Sequence, residues 1–252
     1  MNPPSLAYED PTFIQGPDGR PLRILAEYLS PLHALRLAGI VDTVVFFGSA
    51  RLSPQDALGH YYREARELAS EVTRWALSLY PEGSRLVVCS GGAGGIMEAA
   101  NRGARDAGGR TVGLNIGLPH EQRPNPFLDP GLSFEFHYFF MRKLWFAHLA
   151  RAVIVFPGGF GTLDELFEML TLRQTGKLER DVVILLYGRA YWSKIFNLAA
   201  LAEAGMIDAR SLTLLEEVDS VAEAMGCLKR RVKLPPMQDG PAFAPSLTRR
   251  AE

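Results

Sequence analysis

Short apolar runs alternate with amphipathic stretches along most of this chain. Residues 41–47, 86–89, 111–116, 132–138, 153–156 and 182–187 are rich in β-branched and aromatic side chains and predict strands. A last short strand is predicted at 212–215. Helical apolar spacing predicts helices at about 54–80, 96–107, 139–149, 162–174, 191–204 and 221–230. Most of the strands are apolar on both faces, so neither face can be left in water. Strand–helix alternation of this kind predicts a parallel sheet covered on both sides, an α/β fold of the Rossmann-like, doubly wound class. We place this single domain at 41–232. Residues 1–40 form an N-terminal arm, irregular over the Pro-, Gly- and Asp-rich 1–21. The arm then turns helical over 22–37, with Leu22, Leu25, Tyr28, Leu29, Leu32 and Leu35 at helical spacing. Residues 233–252, with four prolines and few large apolar groups, read as a flexible tail.

Three predicted strands end in small residues: Gly48-Ser49-Ala50, Ser90-Gly91-Gly92-Ala93-Gly94-Gly95, and Pro157-Gly158-Gly159-Phe160-Gly161-Thr162. In open parallel sheets, ligands bind beyond the carboxyl ends of the strands, so three such turns on one edge would build one crevice. Bare N–H groups and the positive end of a helix favour an anion there. Glu165, one turn into the last helix, has two readings. It is either a carboxylate with a chemical role or the acid of a capping box that starts at Thr162. The middle turn fits a dinucleotide fingerprint poorly: Gly92 and Gly94 match, but Met97 stands at the third position. The P-loop pattern is absent. A monophosphate or sugar phosphate suits the turns better than a dinucleotide or a triphosphate. Arg142-Lys143, on a helix before the fifth strand, read as phosphate binders or as a surface basic pair. Glu98 reads as a ribose contact or as support for its helix.

Bulk properties narrow the class further. Apolar residues make up 47% and charged residues 22%, as in an ordinary globular protein, and the net charge of −1 argues against nucleic acid or a membrane surface as partner. Arginine outnumbers lysine 22 to 5, and the two cysteines, Cys89 and Cys227, lack metal-type spacing. The histidines, His120 and His137 among them, form no ligand set with acids or cysteines, so no metal is expected. No apolar run spans a bilayer and no leader pattern opens the chain, which makes a cytoplasmic protein the expectation.

Together, Ser90-Gly91-Gly92, Gly95-Ile96-Met97-Glu98-Ala99-Ala100-Asn101, Arg142-Lys143 and Pro157-Gly158-Gly159-Phe160-Gly161-Thr162-Leu163-Asp164-Glu165 resemble the LOG ("Lonely Guy") family, long labelled putative lysine decarboxylases. The resemblance covers about residues 41–230. It implies a Rossmann-like fold and homodimers or larger assemblies. It also implies hydrolysis of the N-glycosidic bond of nucleoside 5′-monophosphates, such as AMP or cytokinin ribotides, to free base and ribose 5-phosphate. No cofactor is implied, and a pyridoxal-phosphate lysine is not evident. Carried over, the catalytic residues are Arg142 and Glu165. The nucleotide and its phosphate fall to Gly48, Ser49, Gly91, Gly92, Met97, Glu98, Lys143, Gly158, Gly159, Gly161 and Thr162. Phe139 and Glu98 differ from the short plant-type members, and the N-terminal arm resembles the longer bacterial branch. The alternative is a non-catalytic carrier on the same fold, resembling molybdenum-cofactor carrier proteins.

Overall fold

Parallel strands cannot be joined by a tight turn, so each apolar run returns through a crossover packed on the sheet. The computed structural model describes residues 6–117, 123–178 and 180–234. Within them the strands are β1 (Thr43–Phe47), β2 (Val87–Ser90), β3 (Thr111–Ile116), β4 (Ser133–Phe136), β5 (Ala150–Val155), β6 (Val183–Tyr187) and β7 (Glu216–Val218). They form one sheet in the order β4-β3-β2-β1-β5-β6-β7, parallel at every pairing. The chain winds outward from β1 through β2 and β3 to β4, then crosses back to start β5 on the other side of β1. That reversal opens a crevice above β1 and β5.

Strand pleating sends successive side chains to opposite faces, so β1 contributes Val45 and Phe47 to one core and Val44 and Phe46 to the other. The first core is closed by α2 (Arg20–Leu37), α5 (Phe139–Leu149) and α6 (Phe160–Gln174), with Trp145, Phe146 and Leu166 fully buried. The second is closed by α3 (Gly59–Leu79), α4 (Ile96–Asp106) and α9 (Val221–Arg231). Among the described residues, no helix is long and apolar enough to cross a membrane. The 235–252 portion of the expected tail lies outside the described residues, as does His120.

Several predicted elements differ. The helix expected from residue 54 starts at Gly59, because 53–58 is taken up by turns, with the Asp56 carboxylate accepting the Ser53 N–H at 2.6 Å. The helix expected over 191–204 is two short ones, α7 (Arg189–Trp192) and α8 (Leu198–Glu203). Asn197 divides them, its side chain accepting the Ala200 N–H as a new N-cap. The strand expected at 212–215 is a 3₁₀ turn over Ala209–Leu214, started by the Asp208 carboxylate. The edge strand lies just beyond it, in Glu216–Val218. In the arm, α1 (Pro11–Gln15) is capped by Asp10, so the described part of the arm, from residue 6 to 21, is less irregular than expected. The arm helix buries only part of its apolar set: Ile24, Tyr28, Leu32 and Leu35 pack inward while Leu22, Leu25 and Leu29 face out.

Candidate active site

The three small-residue turns meet at the sheet's switch point. Ser49 N–H donates to the Pro157 carbonyl at 3.0 Å, and Ile96 N–H donates to the Ser49 carbonyl at 3.0 Å, which links all three turns through backbone. Beneath the middle turn lies a buried polar cluster. Ser90 Oγ donates to Asn101 Oδ1 at 2.7 Å and accepts the Gly92 N–H at 3.1 Å. Asn125 Nδ2 reaches the Gly92 and Ala93 carbonyls and Asn101 Oδ1. Each of these is a bond that water would otherwise supply, and together they hold the turn in one shape.

The turns wall a cavity of about 910 Å³, within the range of small-molecule sites. Its lining includes Gly48, Ser49, Gly91, Met97, Arg142, Gly158, Gly159, Gly161, Thr162 and Glu165. Three expected site residues do not line it. Adjacent helical residues point about 100° apart, so Arg142 and Lys143 cannot share one target. Lys143 turns to α6 instead, with its Nζ 2.8 Å from Asp164 and 3.3 Å from Glu168. Glu98 accepts the Tyr62 hydroxyl at 2.8 Å, between α3 and α4. Gly92 offers its carbonyl to Asn125.

At the floor, α6 begins at Phe160 with Gly159 as N-cap and no side-chain cap. Its first helical bond runs from Leu163 N–H to the Gly159 carbonyl, leaving the N–H groups before it without intrahelical acceptors. Thr162 therefore lies inside the helix rather than at its cap, and the capping-box reading of Glu165 falls with it. A Cβ at Gly158 would collide with the Thr162 side chain, so glycine here permits a close backbone–side chain approach. Around Gly159 and Gly161, by contrast, a Cβ would meet nothing within 4 Å, and both glycines line the cavity. Tyr191 supports the loop, its hydroxyl donating to the Gly158 carbonyl at 2.8 Å.

Arg142 and Glu165 face each other across the cavity wall, Nη2 to Oε1 at 3.7 Å, their side chains 10% and 15% exposed. Arg142 Nε donates to the Leu114 carbonyl at 2.7 Å, and the guanidinium lies over the Phe146 ring. Burial pulls the arginine down from its ordinary value, with Glu165 opposing. Burial also pushes the Glu165 carboxyl up to about 7, against the pull of Arg142. A carboxyl poised there exchanges its proton near neutrality, a property ordinary surface acids lack. Asn115 joins the lining and is fixed by its amide donating to Ser133 Oγ and the Phe134 carbonyl. Sequence reasoning left out Asn115, Tyr191 and Arg51; nothing in their local sequence marks them. Among the described residues, no cluster of His, Cys, Asp and Glu could hold a metal ion.

Gly91 lies against the site's side chains: a Cβ there would overlap Arg142 Nη2 and lie 2.6 Å from Met97 Sδ, so an alanine would displace the guanidinium that bonds the Leu114 carbonyl. Gly91→Ala is expected to cost about 1–3 kcal/mol through overpacking. A lowered urea midpoint would register that cost, and an unchanged midpoint would refute the packing argument.

An all-parallel sheet with an open helix N-terminus and a buried carboxylate–guanidinium pair beside one cavity at its switch point defines a Rossmann-like α/β protein. A family model described as "Possible lysine decarboxylase" matches residues 97–228, more than half of the chain. The chain belongs to that family, the LOG family. A cytokinin riboside 5′-monophosphate phosphoribohydrolase of Mycobacterium marinum (strain ATCC BAA-535 / M) is 31% identical over 144 residues, covering 55% of this chain and 74% of the relative. A probable cytokinin riboside 5′-monophosphate phosphoribohydrolase of Oryza sativa subsp. japonica is 29% identical over 142 residues, covering 55% of this chain but only 60% of the relative's length. Among solved structures, the molybdenum cofactor binding protein of Rippkaea orientalis superposes with a TM-score of 0.51 at 19% identity, over 77% of this chain and 98% of that one. That likeness is one of fold.

Proposed function

We propose that this protein hydrolyses the N-glycosidic bond of a purine-type nucleoside 5′-monophosphate, releasing free base and ribose 5-phosphate. The observation that carries this reading is the Arg142–Glu165 pair set beside the open N-terminus of α6 in one cavity. In this reading the 5′-phosphate accepts the N–H groups of the Gly159–Thr162 turn, where the helix dipole and open space favour it. The sugar then lies along the wall that carries Glu165. Breaking the C1′–N bond leaves positive charge on the ribose ring. An ionised Glu165 stabilises that charge and orients the attacking water. Water gives its hydroxyl to C1′, and its proton leaves to the departing base. Arg142 anchors the substrate and keeps part of the Glu165 population ionised.

The test is a panel of nucleoside 5′-monophosphates incubated with the pure protein, read as free base and ribose 5-phosphate. Tight binding with no product from any member would instead support a carrier. We further infer a homodimer or larger assembly. Phe139, Phe140 and Leu144 stay exposed on α5 beside the cavity mouth, an apolar patch typical of an interface. A monomeric mass in light scattering at micromolar concentration would contradict it.

A further inference from the structure

Helix α5 carries Arg142 yet does not cap itself. Its N-cap residue, Tyr138, makes no side-chain cap bond, and the N–H groups at a helix start have no partners within the helix. The two residues just ahead of the helix are held instead by the arm, more than a hundred residues earlier. Glu27 of α2 accepts His137 N–H at Oε1 (2.7 Å) and Tyr138 N–H at Oε2 (3.2 Å), so one carboxylate spans two consecutive donors. Its negative charge also sits at the positive end of α5. The same residue acts a second time, because its backbone carbonyl accepts the indole N–H of Trp145 at 3.2 Å. Tyr28 packs against the Trp145 ring, and Arg20 lies over the Tyr138 ring.

Arg142 lies between these two attachment points, and its own N–H donates to the Tyr138 carbonyl at 3.2 Å. Its guanidinium then reaches the opposite way, to the Leu114 carbonyl and to Glu165. The position of α5 along its axis therefore sets the Arg142–Glu165 separation, and Glu27 holds that position from outside the cavity. We infer that Glu27 is a positioning residue for Arg142: the clamp of α2 on the start of α5 and on Trp145 keeps the guanidinium in register with Glu165. Neither Glu27 nor α2 falls within the family-model match over 97–228, so the clamp is a feature of this chain's arm.

This inference rests on the hydrolase reading for its activity readout but not for its binding readout. The experiment uses full-length Glu27→Ala and Glu27→Gln, each also combined with Arg142→Ala, with folding checked by circular dichroism. Displacement by about an ångström is enough to cost a positioned group much of its effect. Glu27→Ala is expected to lower kcat for base release about tenfold with KM changed less than about threefold. Glu27→Gln, which keeps one acceptor oxygen, is expected to lose about threefold. In the Arg142→Ala background, both second substitutions are expected to cost nothing more, a non-additivity that general destabilisation would not produce. Wild-type kcat in Glu27→Ala, or losses that simply multiply in the double variants, overturns the clamp while leaving the hydrolase reading intact. Should only Glu27→Gln fold, its kcat and its double variant decide alone. If the wild-type protein cleaves no nucleotide, the hydrolase reading fails by itself. The clamp is then judged by calorimetric binding of AMP, with Glu27→Ala weakening it and the Arg142→Ala background abolishing that difference; equal affinity in wild type and Glu27→Ala overturns it.

Discussion

Glu165→Gln is expected to lower base release by about 10²–10⁴-fold while leaving nucleotide affinity within a few-fold, because shape and one acceptor oxygen are kept while the charge is lost. The same substitution is expected to make the protein more stable above neutral pH. The folded-state pKa of Glu165 is about 7 against an ordinary value of 4.5, so between those values the native state binds more protons than the unfolded state. Stability from this group is therefore lost as pH rises through that window. The loss is on the order of 3 kcal/mol once the carboxyl is ionised, with the opposing attraction of Arg142 already included. Glutamine is free of that cost. Melting curves at pH 5 and pH 8 check the sign: the variant should gain over wild type at pH 8 and lose that gain at pH 5. A fall in activity with a rise in stability is what a carboxylate held in place for chemistry produces. Near-wild-type turnover in Glu165→Gln would remove the carboxylate from the mechanism.

Asp42→Ala is expected to destabilise the protein by about 3–5 kcal/mol, the cost of breaking a buried charge arrangement from one side. Asp42 is fully buried just ahead of β1, at the edge of the sheet away from the cavity. Three guanidinium groups converge on it: Arg151 at 2.6 Å, Arg180 at 2.7 Å and Arg85 at 3.0 Å. Arg85 is itself 5% exposed, and Arg180 also donates to the Val41 carbonyl. Alanine removes an anion that these three cations share and leaves a cavity beside them. Chemical denaturation measures the loss, and the remaining folded fraction is expected to bind nucleotide normally, because the cluster lies at the far end of the strands. A loss under about 1 kcal/mol would show that neighbouring groups or water replace the carboxylate.

Runs such as Ala152–Val155 and Val183–Leu186 have one physical use, burial on both faces of a parallel sheet. The alternation of strands and helices was therefore enough to identify the fold class. The glycine turns were legible for a similar reason, because a run of small residues after a strand has few structural meanings. The acidic edge strand Glu216–Val218 was not, since its β-structure comes from pairing with β6 rather than from its own side chains. Nor could local sequence separate Arg142 from Lys143, or decide whether Glu165 caps a helix or faces a cavity. Those outcomes depend on where α5 and α6 lie against each other and on where α6 begins. Local patterns of residues set the layers, the strand ends at which the candidate site lies and the residue types gathered there. Tertiary structure alone decided which side chains meet, because the contacts that orient Arg142, through Leu114, Glu165 and the Glu27-anchored start of α5, join segments distant in the chain whose approach no local pattern encodes.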